Sequence, residues 1–309
     1  MVKIRKILKK NYGLLALGIF LLAWGGLGAG CPFLQTWFYL FAWWSYIFFA
    51  DWLVLRLRGS SRLSSSPREF LQLSLWSAFF WFVFEWFNLF LKNWSYLKVP
   101  SNLLVRWSGY VLAFATVLPG IFESYDLLEA LIQRSFEVKP RSSQALALPS
   151  TLLGILCLAL PLAYPRLFFP LVWAFIFLLL EPALYLVAPE KSLLWDLQNG
   201  SLRRPTLLLL SGLICGLFWE SWNYWAGAKW VYHLPWAWLM RIKLFEMPLP
   251  GYLGFPPFAL ECWSFWQAIT LLQKRLPTWL LLFFYVSFVI FMCHEVDLAT
   301  VRSLGGPFY

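Results

Sequence analysis

Phe218–Glu261 reads FWESWNYWAGAKWVYHLPWAWLMRIKLFEMPLPGYLGFPPFALE. It is the densest run of Trp, Tyr and Pro in the chain, and carboxylates in apolar sequence, Glu220 and Glu261, stand at its two ends. An ionisable group in hydrocarbon costs several kcal/mol, so a chain that crosses a membrane seldom carries one without a use. What surrounds the stretch decides that this is such a chain. Hydrophobic residues make up 61% of the 309 and charged residues only 13%, and the mean hydropathy is +0.65, outside the soluble globular range. The apolar runs are long and do not alternate, which fits helices that satisfy their own backbone and not the strands of an outer-membrane barrel.

The sequence therefore predicts an all-α, polytopic transmembrane bundle. Nine spans are expected, at 13–30, 33–55, 70–91, 106–131, 149–164, 166–188, 206–226, 252–274 and 277–294. The first follows a basic start (Lys3, Arg5, Lys6, Lys9, Lys10) and ends at Gly28-Ala29-Gly30-Cys31, which faintly resembles a cleavage or lipidation site. An uncleaved anchor is the reading adopted, because later segments repeat the same layout. The net charge of +10 does not point to nucleic acid, since Lys and Arg sit in short clusters between apolar runs. With the N-terminus inside, seventeen of the 25 basic residues fall in inner segments, which places the protein in an inner membrane with a cytoplasmic N-terminus. The five cysteines are scattered through apolar runs, without disulfide or metal spacing.

Working outward from Glu220, a weaker copy of the same pattern lies at Phe84–Glu123. Glu85-x-x-Asn88 matches Glu220-x-x-Asn223, Trp94-x-Tyr96 matches Trp230-x-Tyr232, and Pro119-x-x-x-Glu123 matches Pro257-x-x-x-Glu261. Upstream, Asp51 pairs with Glu181, and the offset between partners grows only from 130 to 138 residues. Such ordered recurrence marks a tandem duplication. The expected organisation is a first repeat at 1–137, a cytoplasmic linker at 138–148, a second repeat at 149–276, and an extra helix and tail at 277–309. Four spans per repeat make the two copies parallel, related by an axis along the membrane normal, with their carboxylates meeting in one cavity.

Glu and Asn three residues apart share a helix face, so each Asn is expected to orient its neighbouring acid. A carboxyl group shut away from water is kept neutral and able to donate. Aromatic rings, 21% of the chain, can shelter a cation formed by protonating an alkene. On this reading Glu220 and Glu261 are acid and base, with Asn223 as orienter and Glu85 and Glu123 as counterparts. Trp219, Trp222, Trp230, Tyr232, Asn88, Trp94, Tyr96 and Glu181 would bind substrate. The plainer reading places Trp94, Tyr96, Trp230 and Tyr232 in interfacial belts, Asp51 in an ion pair with Arg56, and Glu181 beside a kink at Pro182. His294-Glu295-x-Asp297 is read as a solvated end, and no metal site is expected. Phosphate loops, dinucleotide fingerprints, metalloprotease and Asp-rich diphosphate motifs are absent from the sequence, and no cofactor is expected.

At Asp51, Glu85, Trp94-x-Tyr96 and Pro119–Glu123, and again at Glu181, Glu220, Trp230-x-Tyr232 and Pro257–Glu261, the chain resembles the integral-membrane lycopene cyclases. The likeness covers about Trp43–Tyr125 and Phe175–Trp263. It departs from that family in having a single Glu four residues after the proline, where the family has paired glutamates, and in carrying extra helices. The resemblance implies a relative acting on a long isoprenoid without a redox cofactor. The expected function is acid-initiated, redox-neutral cyclisation or isomerisation of a carotenoid-like lipid drawn from the bilayer. A proton-coupled transporter with midplane carboxylates and a non-catalytic scaffold are the alternatives, and the pattern leaves room for a homo-oligomer.

Overall fold

The computed structural model describes residues 2–140, 142, 144–236 and 239–301. Long Leu- and Phe-rich runs give long helices. The first half contains α1 Val2–Gly28, α2 Pro32–Arg58, the short α3 Arg62–Ser65, α4 Pro67–Leu91, strand β1 Trp94–Leu97, α5 Leu103–Phe114 and α6 Val117–Leu131. The second half contains α7 Gln144–Ala163, α8 Pro165–Phe168 running into a 3-10 turn at Phe169–Trp173, α9 Phe175–Val187, the short α10 Leu193–Gln198, α11 Arg203–Trp225, strand β2 Lys229–Tyr232 and α12 Phe255–Arg275. Helix α13, Thr278–Ala299, follows.

This is an all-α bundle of membrane type. Among the described residues, seven helical segments are long and apolar enough to cross a bilayer, and eight if the stretch from α8 to α9, bent by 42°, counts as one span. Every expected span is helical, but α12 falls short of a span's apolarity because it carries Glu261, Gln267, Gln273, Lys274 and Arg275. It packs on α9 and α11, which relieves it of the need for an apolar surface all round.

The two halves repeat one device at a helix end. Asp51 accepts hydrogen bonds from the Ser61 hydroxyl (2.8 Å), the Leu63 amide (2.9 Å) and the Tyr12 hydroxyl. Glu181 accepts from the Ser192 hydroxyl (2.7 Å), the Leu193 amide (2.7 Å) and the Ser264 hydroxyl (2.7 Å). Ser61 and Ser192 cap α3 and α10, so each carboxylate anchors the positive first turn of a short helix. Asp51 thus makes no interfacial pair with Arg56, whose guanidinium lies over the Trp52 ring. Glu181, with both oxygens occupied, is an anchor and not a substrate contact.

The sharp bend in the second half falls at Ala174 and not at Pro182. Pro182 leaves the Leu178 carbonyl without its helical amide, and the Ser150 hydroxyl of α7 supplies the missing bond at 3.0 Å. Gly212 and Gly216 set α11 close to α12, where any Cβ would collide with Phe255; this small-residue spacing is a known route to close helix approach in lipid. Helix α13 is tied to α5 through Asp297, which accepts from Arg106 Nε and Nη2 (2.8 and 2.6 Å), Trp107 Nε1 (2.8 Å) and the Tyr110 hydroxyl (2.9 Å). Asp297 is therefore no part of a solvated end, and no cluster suited to a metal occurs among the described residues.

Residues of the expected linker are stitched to the second half. The Val138 amide donates to Gly200 and the Leu202 amide to Phe136, and α7 begins already at Gln144. One continuous core joins both halves, so the repeats are not separate domains.

Candidate functional site

Each half builds the same unit from its Glu-x-x-Asn…Trp-x-Tyr sequence. Asn88, in the last turn of α4, donates from Nδ2 to the Trp94 carbonyl (2.9 Å), while its Oδ1 accepts from the Asn93 and Trp94 amides (2.9 and 3.2 Å). Asn223, in the last turn of α11, bonds the Trp230 carbonyl and amide (3.0 and 2.9 Å) in the same way. The side-chain amide copies the pairing of a neighbouring strand and docks the strand onto the helix end. Asn88 and Asn223 are therefore clamps on the backbone; they make no hydrogen bond to the glutamates and line neither of the chambers beside β1 and β2.

With the strand fixed, its alternate side chains share a face, and the Tyr reaches back to the Glu. Tyr96 donates to Glu85 Oε1 (2.5 Å), joined there by Trp94 Nε1 (3.0 Å) and Trp81 Nε1 (2.8 Å). Tyr232 donates to Glu220 Oε1 (2.7 Å), and Trp230 Nε1 donates to the Tyr232 hydroxyl (2.9 Å). Burial above all, and then the adjacent glutamate, hold both phenols well above their ordinary range, so both stay protonated donors. β1 and β2 pair antiparallel, Trp94 opposite Tyr232 and Tyr96 opposite Trp230. The Trp94–Tyr232 pair is thus the counterpart of the Trp230–Tyr96 pair, related by a pseudo-two-fold axis between Ser95 and Val231.

Two chambers flank this strand pair and share Trp81, Tyr96, Trp219 and Trp230 as walls. The first, between α2 and α5, measures about 90 Å³. The second, between the turn preceding α9 and the start of α12, measures about 460 Å³, within the range of small-molecule sites. Eleven of its 23 lining residues are aromatic, and none is Lys, Arg or Asp. Glu220 is the one group on its wall that can carry charge. That side chain is fully buried, and its Oε2 has no hydrogen-bond partner among the described residues.

The fold thus brings Glu220, Trp219, Trp230, Tyr232, Trp94 and Tyr96 to one chamber. Trp94 and Tyr96, at 5% and 7% exposure, point inward and are not belt residues. Other expected site residues lie elsewhere. Glu85 sits behind Trp94 and Tyr96 and is not on the wall. Trp222 packs edge-on against Trp43, with ring centres 4.8 Å apart. Glu261 accepts from the Ile176 amide at 2.9 Å and so caps α9, whose own N-cap, Ala174, has no side chain for the task. Glu123 is fully buried with neither oxygen bonded and lines neither chamber. Glu261 and Glu123 are thus not placed to act as base. Sequence reasoning missed Trp81, which bonds Glu85 and walls both chambers, and Trp173, stacked on Phe84 with ring centres 5.0 Å apart. The i, i+4 spacing of Trp81 and Glu85 was the available signal.

No protein-family model, no curated protein and no solved structure matches the chain.

Proposed function

We propose that the protein is an intramembrane enzyme that takes a long, lipid-soluble isoprenoid into the chamber beside Glu220 and isomerises or cyclises it without redox change. The observation that carries this reading is an unpaired carboxyl oxygen, Glu220 Oε2, facing an aromatic chamber with no basic residue on its wall. Glu220 transfers a proton to an alkene carbon, the new C–H bond consumes the π bond, and the cation left on the more substituted carbon lies among indole and phenol rings. A second double bond attacks the cation to close a ring, or the ring closure is skipped. Loss of an adjacent C–H proton to the Glu220 carboxylate then restores an alkene, and the product is an isomer of the substrate. Tyr232, hydrogen-bonded to Oε1, steadies the carboxylate while it is charged. The likeness to lycopene cyclases supports the same chemistry. The charge distribution supports an inner membrane with the N-terminus in the cytoplasm and the strand pair at the outer side.

A proton-coupled carrier is the second reading, favoured by one observation: the span from α8 to α9 is broken, as spans that line solute sites often are. One experiment separates the two. Protein purified in detergent is incubated with linear isoprenoid polyenes and the extract resolved by mass-matched chromatography. The expected result is an isomer of unchanged mass, absent with Glu220→Gln. Proton flux into proteoliposomes that depends on Glu220, with every polyene recovered unaltered, would replace the enzyme with the carrier.

A further inference from the structure

At the end of the bundle away from the strand pair, three arginines are each neutralised by a carboxylate. Arg58 pairs with Glu129 (2.9 Å), Arg62 with Asp126 (2.6 Å) and Arg204 with Asp196 (3.1 Å). Three other cations share one cavity. Arg68 at the start of α4, Lys191 between α9 and α10, and Lys274 at the end of α12 line one open cavity of about 760 Å³, and none of them forms an ion pair among the described residues. Lys191 is held in place by donating to the Thr270 hydroxyl at 2.8 Å. Its ammonium is shifted below the ordinary lysine range by burial and then by the nearby charge of Lys274, with Glu190 and Glu69 opposing. Like charges are thus held together around a cavity whose only acid is Glu69. Such an arrangement is costly in isolation and is relieved by an anion.

Both halves contribute to the cavity, and the indole of Trp266 forms part of its wall. Seryl and glutaminyl side chains supply further donors. A group with several acceptor oxygens and one or two negative charges matches a cavity lined by three cations with hydroxyl and amide donors. We propose that this cavity binds a phosphate group, carried by an anionic phospholipid headgroup or by a small phosphorylated solute. The position at a helix end, where basic pockets meet headgroups, suits the lipid source. The site is independent of the chamber at Glu220 and does not rest on the activity assigned there.

The test uses the full chain, delipidated in neutral detergent. Retained lipid is measured by native mass spectrometry after titration with phosphatidylglycerol or phosphatidylcholine, and binding of inorganic phosphate is measured by calorimetry. The wild type is expected to retain phosphatidylglycerol in preference to phosphatidylcholine, and Lys274→Gln to weaken that retention on the order of five-fold. Phosphate binding that is weakened by the same substitution, without preference between the lipids, assigns the cavity to a soluble phosphate compound. Lys274 is exposed, so the variant is expected to fold, and thermal unfolding checks this. Arg58→Gln, which removes an already paired cation, serves as the control. Equal retention of the two lipids with no phosphate binding, or an equal loss in Lys274→Gln and Arg58→Gln, overturns the proposal.

Discussion

In the first half, α2 runs unbroken past Tyr46 and the chamber beside it holds about 90 Å³. In the second half, the stretch 130 residues on breaks at Ala174 with a bend of 42°, and the chamber there holds about 460 Å³. The acids follow the same division. Glu261 finds a use at the break, on the amide the bend exposes, whereas Glu123 beside the unbroken helix finds no partner for either oxygen. Glu85 receives three donors on Oε1, one of them Trp81, while its Oε2, like that of Glu220, has no partner among the described residues. At the corresponding place before Glu220 stands Gly216, packed against Phe255. Beside the strand pair, then, the larger chamber lies against the half with the local break and the smaller one against the half with the unbroken helix.

The sharpest way to break this comparison is to exchange the acids' roles. Glu220→Gln is expected to lower the proposed isomerase activity by a factor on the order of 10² or more, as for loss of a general acid, while Glu85→Gln lowers it less than ten-fold. Comparable losses, read from product formation per unit of folded protein, would show that both halves are catalytic.

Next in size is the clamp. Asn88→Ala and Asn223→Ala each strip a docked strand of its buried partner and should cost about 1–3 kcal/mol of stability. The two costs should be similar, as followed by denaturant unfolding in detergent. A neutral result at one position would mean that the matching geometry is not matched in energy.

A smaller effect separates Glu261 from Glu123. Glu261→Gln keeps an oxygen that can accept from the Ile176 amide at the start of α9, so the expected loss stays below about 1 kcal/mol. Glu123→Gln, at a side chain with no bonded partner, should leave the melting temperature unchanged or raise it. A larger loss at Glu123 would reveal that the half with the unbroken helix depends on its acid after all.

The smallest effect concerns the short helices. Only α10 carries an acid facing its own half's arginine, Asp196, whose carboxyl is pushed up from 3.8 to about 6 by burial, against the pull of Arg204. A folded-state value above the unfolded one favours folding at low pH, with a contribution complete below about 4 and lost as pH rises through about 6. Thermal stability should therefore increase slightly between pH 7 and pH 5, and Asp196→Asn should flatten that slope. A decrease over the same interval in the wild type would contradict it.

Much of the architecture was legible because its signals are local and repeated. Apolar runs too long for strands specify helices, and five matching elements at nearly one offset specify the two halves. The strand pair was not legible, since a four-residue strand of Trp and Tyr beside a membrane boundary has the composition of a belt, and periodicity does not say which way it faces. Asn88 and Asn223 were placed on the correct faces, but their targets lie six and seven residues further along, around a turn that spacing does not describe. The break at Ala174 carries neither Pro nor Gly at the bend itself, so the exposed amide that claims Glu261 had no mark in the sequence. A buried acid is conspicuous in any apolar setting, so Glu85, Glu123, Glu220 and Glu261 all stood out, but only Glu220 lines the larger chamber, which that mark does not distinguish.

The register of β1 on β2 has an evolutionary reading. A segment that aligns with its own counterpart through a central residue, Ser95 against Val231, is self-complementary. Two identical, unfused chains of one half's length could close the same ladder as a symmetric dimer. Fusion then frees each copy to accumulate its own substitutions, and a break like that at Ala174 can arise in one without being imposed on the other.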